Sequence, residues 1–283
     1  MTTEREPRRS RRALVQKLQA QESALRRAPE SLAPTRPTFR ALFPDAADDV
    51  DPDDVVADEL REIPDGRPWV VLNLIASVDG VTSVGGDTSA LSHGADKAMF
   101  ASLRAMSDAV LVGAGTLRAE QYQRIGLDER KLMARRKRGQ ADIPRLAVVS
   151  RKAEFDLASS VITGGYPLIY TTESINEMRA MQVEVVAELV RFPGDKVRAL
   201  SILSDLFDRG CAVLLCEGGP SLASELFNVD AVDEVHLTIS PWLVGGGPAG
   251  LFPGSFSRPR RYELRGVLES EGVLFGRWIR RRR

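Results

Sequence analysis

Three turns of small residues give this chain its clearest means of doing chemistry: Gly113-Ala114-Gly115-Thr116, Glu217-Gly218-Gly219-Pro220-Ser221 and Gly245-Gly246-Gly247-Pro248. Each follows an apolar run, Ala109 to Val112, Val213 to Cys216 and Trp242 to Val244. A glycine-rich turn at a strand end leaves backbone bare, and where a helix opens behind it the free N–H groups face an anion. The second turn has that form, since Leu222 to Phe227 reads as a helix. Ligands of open α/β sheets bind at the carboxyl ends of strands, so three such turns on one edge predict a dinucleotide crevice. Two carboxylates near these strand ends are the candidate catalytic groups: Glu217, and Asp79 in the strand-end turn Ile75-Ala76-Ser77-Val78-Asp79-Gly80.

Other chemistries fit less well. Arg118 follows Gly113 and Gly115 without a third glycine, so there is no G-x-G-x-x-G, and no G-x-x-x-x-G-K-[ST] occurs. The two histidines, His93 and His236, lie far apart, and with no paired C-x-x-C no metal site is expected. His236 reads as a satisfied strand histidine and His93 as a loop residue near a helix start. Hydride transfer suits this inventory, because the cofactor brings the chemistry and the protein binds and orients it.

Alternating strands and helices must position these groups. Trp69 to Ala76 is a continuous apolar run typical of a buried strand, and Ser92 is placed to cap a helix over Ala95 to Met106 that carries Arg104. Further strands fit Ala109 to Val112, Leu146 to Val149, Leu168 to Tyr170 and Val213 to Cys216. Lys196 to Arg209 has helical apolar spacing stopped by Gly210, and Asp51-Pro52-Asp53-Asp54 starts a helix with a body over Val55 to Ile63. Glu234 to Ile239 alternates as a strand, and Tyr262 to Leu268 with Val273 to Trp278 reads as a hairpin about Ser270-Glu271-Gly272. The expected fold is α/β: a mixed, mainly parallel sheet flanked by helices, with an antiparallel C-terminal hairpin. Cys211 and Cys216 fall on one apolar run, and their odd separation predicts opposite faces and buried thiols in a reducing compartment.

Length and charge bound the rest. With 283 residues, 43% of them apolar, one domain over 39–283 is expected, behind a disordered Arg-rich tail at 1–38 with a short helix near Arg12 to Arg27. Lys plus Arg and Asp plus Glu both total 39, so no general nucleic-acid or membrane-binding surface is expected. No apolar run approaches the ~18 residues of a membrane span, and no signal-peptide core follows Met1, so a cytoplasmic protein is expected.

Read together, five segments resemble the reductase domain of riboflavin biosynthesis, which has a dihydrofolate-reductase-like fold. They are Ala76-Ser77-Val78-Asp79-Gly80, Leu103-Arg104-Ala105, Asp108 to Thr116, Glu217 to Leu222, and Pro241 to Gly247, within roughly Pro68 to Leu251. The resemblance implies a homodimer that uses NADPH to reduce a ribosylamino-pyrimidine 5′-phosphate to its ribitylamino form. The ribosylamine opens to an imine and hydride reaches ribose C1′. By the same resemblance the cofactor falls on Ile75, Ala90, Thr116, Glu120, Ser150 and the turn Gly219, Pro220, Ser221, Leu222 and Ala223. Ala76, Gly113, Gly115, Arg151, Gly218, Gly245 and Gly246 are expected to bind the cofactor with them. The substrate falls on Thr88, Arg104 and Glu217.

These roles have physical readings. Arg104 offers a forked, charge-assisted contact to a phosphate, and Glu217 accepts from the pyrimidine's N–H or amino groups. Ser150-Arg151-Lys152 is either a grip on the 2′-phosphate of NADPH or a solvated turn. Asp79 orients the Gly80 turn more than it does acid–base work.

The chain also departs from the pattern. Where the two-step riboflavin enzymes usually have Asp-Asp-Pro-x-Leu-x-x-Arg, it reads Glu120-Gln121-Tyr122-Gln123-Arg124-Ile125-Gly126-Leu127, so a second phosphate arginine is missing, with Arg124 and Arg130 the nearest replacements. That leaves open a dihydrofolate- or pteridine-type substrate, and a non-catalytic NADP-binding regulatory protein. No H-x-E with P-C-x-x-C occurs, so deamination is expected elsewhere.

Overall fold

Trp69–Ser77 (β3) is apolar at most positions, and a strand of that kind must be covered on both faces. The structure is a computed structural model that describes residues 37–57, 61–85, 87–119, 122, 124–245, 251 and 258–281. It places β3 inside an eleven-stranded sheet. The other strands are β1 (Phe39–Phe43), β2 (Ala47–Val50), β4 (Ala109–Gly113), β5 (Arg145–Val149), β6 (Leu168–Thr172), β7 (Glu188–Phe192), β8 (Val213–Cys216), β9 (Val232–Ser240), β10 (Tyr262–Ser270) and β11 (Val273–Arg280). Their order is β2-β1-β10-β11-β9-β3-β8-β4-β5-β6-β7. From β9 to β7 every pairing is parallel, and from β2 to β9 every pairing is antiparallel. The mixed sheet with its C-terminal hairpin is thus the one expected.

Helices cover both faces, and the strand alternation decides which side chains meet them. The helices are α1 (Pro52–Val56), α2 (Gly94–Met106), α3 (Ala114–Ala119), α4 (Glu129–Lys137), α5 (Ser160–Thr163), α6 (Glu177–Glu184), α7 (Ala199–Asp208) and α8 (Pro220–Asn228). Val71, Val110 and Val112 pack with Met99, Leu103 and Met106 of α2. Val70, Leu72 and Leu111 face the other way, onto Ile202, Leu203 and Leu206 of α7 and Leu222, Ala223 and Leu226 of α8.

Several boundaries differ from expectation. Asp51 caps α1, accepting the Asp53 N–H at 2.9 Å, but the helix stops at Val56 instead of reaching Ile63. There Arg61 Nη2 donates to the Val56 carbonyl at 2.8 Å, closing the helix with a side chain from the following segment. The cap of α2 is His93, without a side-chain cap bond, while the Ser92 hydroxyl bonds Asp96 Oδ2 at 2.5 Å. α7 begins at Ala199, three residues after the expected Lys196.

Cys211 lies in the turn ahead of β8, where strand alternation does not apply, so both thiols reach the same apolar layer and not opposite faces. Burial pushes both up to about 12, and both are free. Residues 39–50 form two strands at one side of the sheet that no alternation announces, the edge strand β2 being the mostly exposed Ala-Asp-Asp-Val. The N-terminal segment through Arg36, with its expected helix, lies outside the described residues.

A buried polar cluster joins β9 to β3, β11 and the segment before β3. Glu234, fully buried, accepts from Arg61 Nε at 2.9 Å, Trp69 Nε1 at 2.9 Å, Arg277 Nε at 2.8 Å and His236 Nε2 at 2.7 Å. His236 is thereby a satisfied strand histidine. Beside it Asp233 forks with Arg67 at 2.6 and 2.8 Å and accepts the Val70 N–H at 2.9 Å. Burial alone would raise the Glu234 carboxyl, but the His236 hydrogen bond and the two guanidinium charges hold it well below the ordinary carboxylate range.

A carboxylate depressed on folding stabilises above its unfolded pKa, and that stability is lost as the pH falls through the lower folded value. Glu234→Leu strands two buried cations, so denaturant titration at pH 7 should show a loss of about 3–5 kcal/mol. The variant should also lose much of the wild type's stability change on acidification below about pH 4.5. An unchanged midpoint at pH 7 would remove the cluster as a stabilising unit.

Candidate active site

The parallel register brings the carboxyl ends of β9, β3, β8 and β4 to one edge of the sheet. There the first two glycine turns touch. The Gly113 N–H donates to the Gly218 carbonyl at 3.1 Å, and the Glu217 N–H to the Leu111 carbonyl at 3.1 Å. Gly218 and Gly219 have φ of 98° and 73°, which glycine adopts without the clash a Cβ would bring. A Cβ on Gly219 would lie 3.5 Å from Thr116 Oγ1 and 3.7 Å from Gly113 Cα. Gly219 is the N-cap of α8 and Pro220 its first residue, and the first helical bond is from the Ala223 N–H to the Gly219 carbonyl. The Ser221 and Leu222 N–H groups therefore have no helical carbonyl to bond and face outward from the turn.

The third turn is tied to the same edge by Asp79. This carboxylate accepts the Ser77 hydroxyl at 2.5 Å and the N–H groups of Val244 and Gly245 at 3.2 and 2.7 Å. The Val78 N–H also donates to the Trp242 carbonyl at 3.0 Å. Those hydrogen bonds, the Ser77 one first, lower the Asp79 pKa to about 2. At neutral pH Asp79 is an ionised tie between two loops and carries no proton to give.

Arg104, in the last turn of α2, meets Glu217 at the end of β8. Nε donates to Oε1 at 2.6 Å and Nη2 to Oε2 at 2.8 Å, a side-on fork. Nη2 also donates to the Tyr122 hydroxyl at 2.8 Å, and that hydroxyl in turn donates to Glu217 Oε2. The Phe100 and Tyr122 rings lie 4.0 and 5.1 Å from the guanidinium carbon. Burial would lower the Arg104 pKa, but the Glu217 hydrogen bonds and charge outweigh it and raise it. Burial, then the charge of Glu217, pushes the Tyr122 phenol well above its ordinary value, so it stays a neutral donor.

The remaining expected residues are spread along this edge. Thr88 and Ala90 lie in the loop from β3 to α2, where the Leu91 N–H bonds the Thr88 carbonyl at 3.0 Å. Ile75 is half-buried on β3, and Ala76 is buried. Ser150 follows β5, buried, with its N–H on the Tyr170 carbonyl at 3.0 Å, while Arg151 is exposed. Gly115 is the second residue of α3, beside Thr116. Pro220 and Ser221 are exposed, whereas Leu222 and Ala223 send their side chains into the core, so only their backbone is available to a ligand. Glu120 and Gly246 lie outside the described residues.

Neither replacement arginine approaches Arg104. Arg130 pairs with Asp51 and Asp53 beside α1, and the Arg124 side chain packs at Gly164. Tyr122 is the residue that sequence reasoning missed, and its one signal was its place in the segment that departs from the pattern.

Two cavities adjoin other parts of the chain. One of about 1030 Å³ is ringed by arginines around Asp230, at the amino end of β9 and so away from the glycine turns. The other, about 380 Å³, lies against Tyr122, Leu117 and Phe155. Among the described residues no group of His, Cys, Asp and Glu could hold a metal ion, and no helix is long and apolar enough to cross a membrane.

A sequence model of the RibD C-terminal domain matches residues 68–271, well over half the chain. The chain belongs to this family. Among curated relatives it is 29% identical over 183 residues to the 2,5-diamino-6-ribosylamino-4(3H)-pyrimidinone 5′-phosphate reductase of Archaeoglobus fulgidus, covering 64% of this chain and 83% of that protein. The reductase of the same name from Methanothermobacter thermautotrophicus is also 29% identical, over 65% of this chain and 82% of its own length. A solved structure of a pyrimidine reductase-like protein from Corynebacterium diphtheriae superposes with a TM-score of 0.74 at 25% identity, over 83% of this chain and all of the other. The mixed sheet is accordingly that of the dihydrofolate-reductase-like reductases of this family.

The touching turns offer a direct test. In Gly219→Ala the residue is forced to keep a positive φ, a strain of about 1–2 kcal/mol, while its methyl group makes only ordinary contact with Thr116 and Gly113. The expected result is weaker dinucleotide binding by calorimetry with a modest fall in melting temperature. Unchanged binding would place the ligand elsewhere.

Proposed function

We propose that the chain is a reductase that uses NADPH to convert a ribosylamino-pyrimidine 5′-phosphate to its ribitylamino form, in riboflavin biosynthesis, as a cytoplasmic homodimer. The observation that carries this reading is the Arg104–Glu217 fork standing at the end of β8, immediately before the Gly218-Gly219 turn. One short segment thus offers a carboxylate to the substrate and bare backbone to the cofactor. The names of the archaeal relatives support the same substrate class.

The residues fit a dinucleotide phosphate. Gly113, Gly218 and Gly219 leave bare backbone at the touching turns, the last two at positive φ, the Ser221 and Leu222 N–H groups suit a pyrophosphate, and Thr116 adds a hydroxyl. Ser150 and Arg151 at the end of β5 would meet the 2′-phosphate that separates NADPH from NADH. When bound, the reduced nicotinamide supplies a hydride.

The protein's own part is to hold and orient. Glu217 is fixed by Arg104 and accepts from the pyrimidine's N–H and amino groups, setting the ring, and with it C1′, at one height above the turn. Asp79 keeps the loop after β9 against the end of β3. Neither Asp79 nor Tyr122 is poised to give up a proton near neutrality, so neither is assigned as the donor to the imine nitrogen.

Purified protein should oxidise NADPH in the presence of the ribosylamino-pyrimidine phosphate and not with dihydrofolate. The reverse outcome would transfer the site to a pteridine substrate, and NADPH binding without either turnover would make the chain a regulatory binder. Arg104→Ala should lower kcat/KM by about a hundredfold or more with NADPH affinity nearly unchanged, as expected when a group serving only the substrate is lost. Arg151→Ala should raise the KM for NADPH about tenfold and leave that for NADH alone, the loss expected for one charge-assisted contact. Equal effects on both cofactors would make Ser150-Arg151-Lys152 a solvated turn.

A further inference from the structure

A guanidinium presents two edges on which a two-oxygen anion can be gripped: the side edge, Nε with Nη2, and the end edge, Nη1 with Nη2. In Arg104 the side edge is filled by Glu217. The second hydrogen of Nη2, which the end edge needs, goes to the Tyr122 hydroxyl. Only Nη1 remains, and among the described residues it has no hydrogen-bond partner. A phosphate approaching Arg104 would therefore find one donor group on a guanidinium already neutralised by a carboxylate. Glu217 itself would repel the dianion.

Tyr122 also stabilises that arrangement from the other side. Its hydroxyl donates to Glu217 Oε2 while accepting from Nη2, so one phenol closes the ring of three groups. It stands where the pattern of the two-step riboflavin enzymes has a proline, a residue with no hydroxyl to offer.

We propose that Tyr122 is a specificity-determining positioning residue: it occupies the last fork of Arg104, turning that arginine from a phosphate grip into a strut for Glu217. The chain then reads the pyrimidine through Glu217 and does not read the 5′-phosphate at Arg104. This inference rests on the reductase reading and narrows its substrate class to ribosylamino-pyrimidines whose phosphate contributes little at this position.

The test compares kcat/KM for the ribosylamino-pyrimidine phosphate and for its dephosphorylated form, in the wild type, Tyr122→Phe and Arg104→Lys. The wild type should prefer the phosphorylated substrate by less than about tenfold. Tyr122→Phe, which removes only the hydroxyl and frees the end edge, should raise that preference by about ten- to a hundredfold, the range of one charged hydrogen bond. Arg104→Lys, whose point charge cannot hold Glu217 in a fork, should lower both activities equally and leave the preference unchanged. A wild-type preference above about a hundredfold that collapses in Arg104→Lys would overturn the proposal, since Arg104 would then be gripping the phosphate.

Calorimetric titration with ribose 5-phosphate gives a readout independent of turnover: binding is expected in Tyr122→Phe and not in the wild type, and tight wild-type binding lost in Arg104→Lys would also overturn the proposal. Should the wild type reduce neither pyrimidine, the reductase reading fails while this titration still decides the role of Tyr122. The Arg104→Lys arm does so even if Tyr122→Phe does not fold.

Discussion

β8 has only four residues, yet it pairs with β3 on one side and β4 on the other. Backbone hydrogen bonding through this strand fixes the level at which three separate pieces of chain end. Because Trp69 pairs with Val213 and Ala109 with Leu214, the residues just past Cys216 emerge beside those just past Leu111. The contact of Gly218 with Gly113, and that of Glu217 with an arginine on the helix before β4, both follow from that register. A slip of β8 by one residue would turn Leu214 and Cys216 to the opposite layer, so the packing against α7 and α8 holds the edge in place.

Charge is handled differently at the two ends of the sheet. At the amino ends, Glu234 and Asp233 are enclosed by arginines, a tryptophan and a histidine, and their bonds tie β9, β11 and β3 together. At the carboxyl ends, Arg104 and Glu217 neutralise one another in a single fork that is about as buried, but it ties a helix to a strand end and not strand to strand. A buried ion pair is weak evidence of stability and better evidence of fixed geometry. Here one pair serves the frame and the other sits where a ligand would come.

Much of this was legible in the residues. The apolar runs of β3, β4, β5, β6 and β8 announced themselves because both faces are covered, and the glycine turns because they follow those runs directly. The hairpin of β10 and β11 was visible from its alternation and from Glu271-Gly272, both at positive φ. What could not be read were elements held by tertiary contact: β1 is too short and β2 too polar to show a period, and α1 ends where Arg61 reaches back to it. Arg104 and Glu217 were each singled out, but not that they would bond to one another, since a separation of more than a hundred positions carries no periodic signal. Tyr122 was hidden for the same reason, an isolated aromatic in a polar stretch.

The tie made by Asp79 carries a consequence for how the molecule is made. Its acceptor oxygens lie near the start of the parallel sheet, and the N–H groups they hold belong to Val244 and Gly245, reached only after β9 has been added. A nascent chain can assemble β4, β5, β6 and β7 from neighbouring units as they emerge, but β3 stays without either neighbour until β8 and β9 arrive. The carboxyl-end edge tied by Asp79 therefore forms only after most of the chain has been made, and the apolar length of β3 must wait, uncovered by its partners, through most of translation.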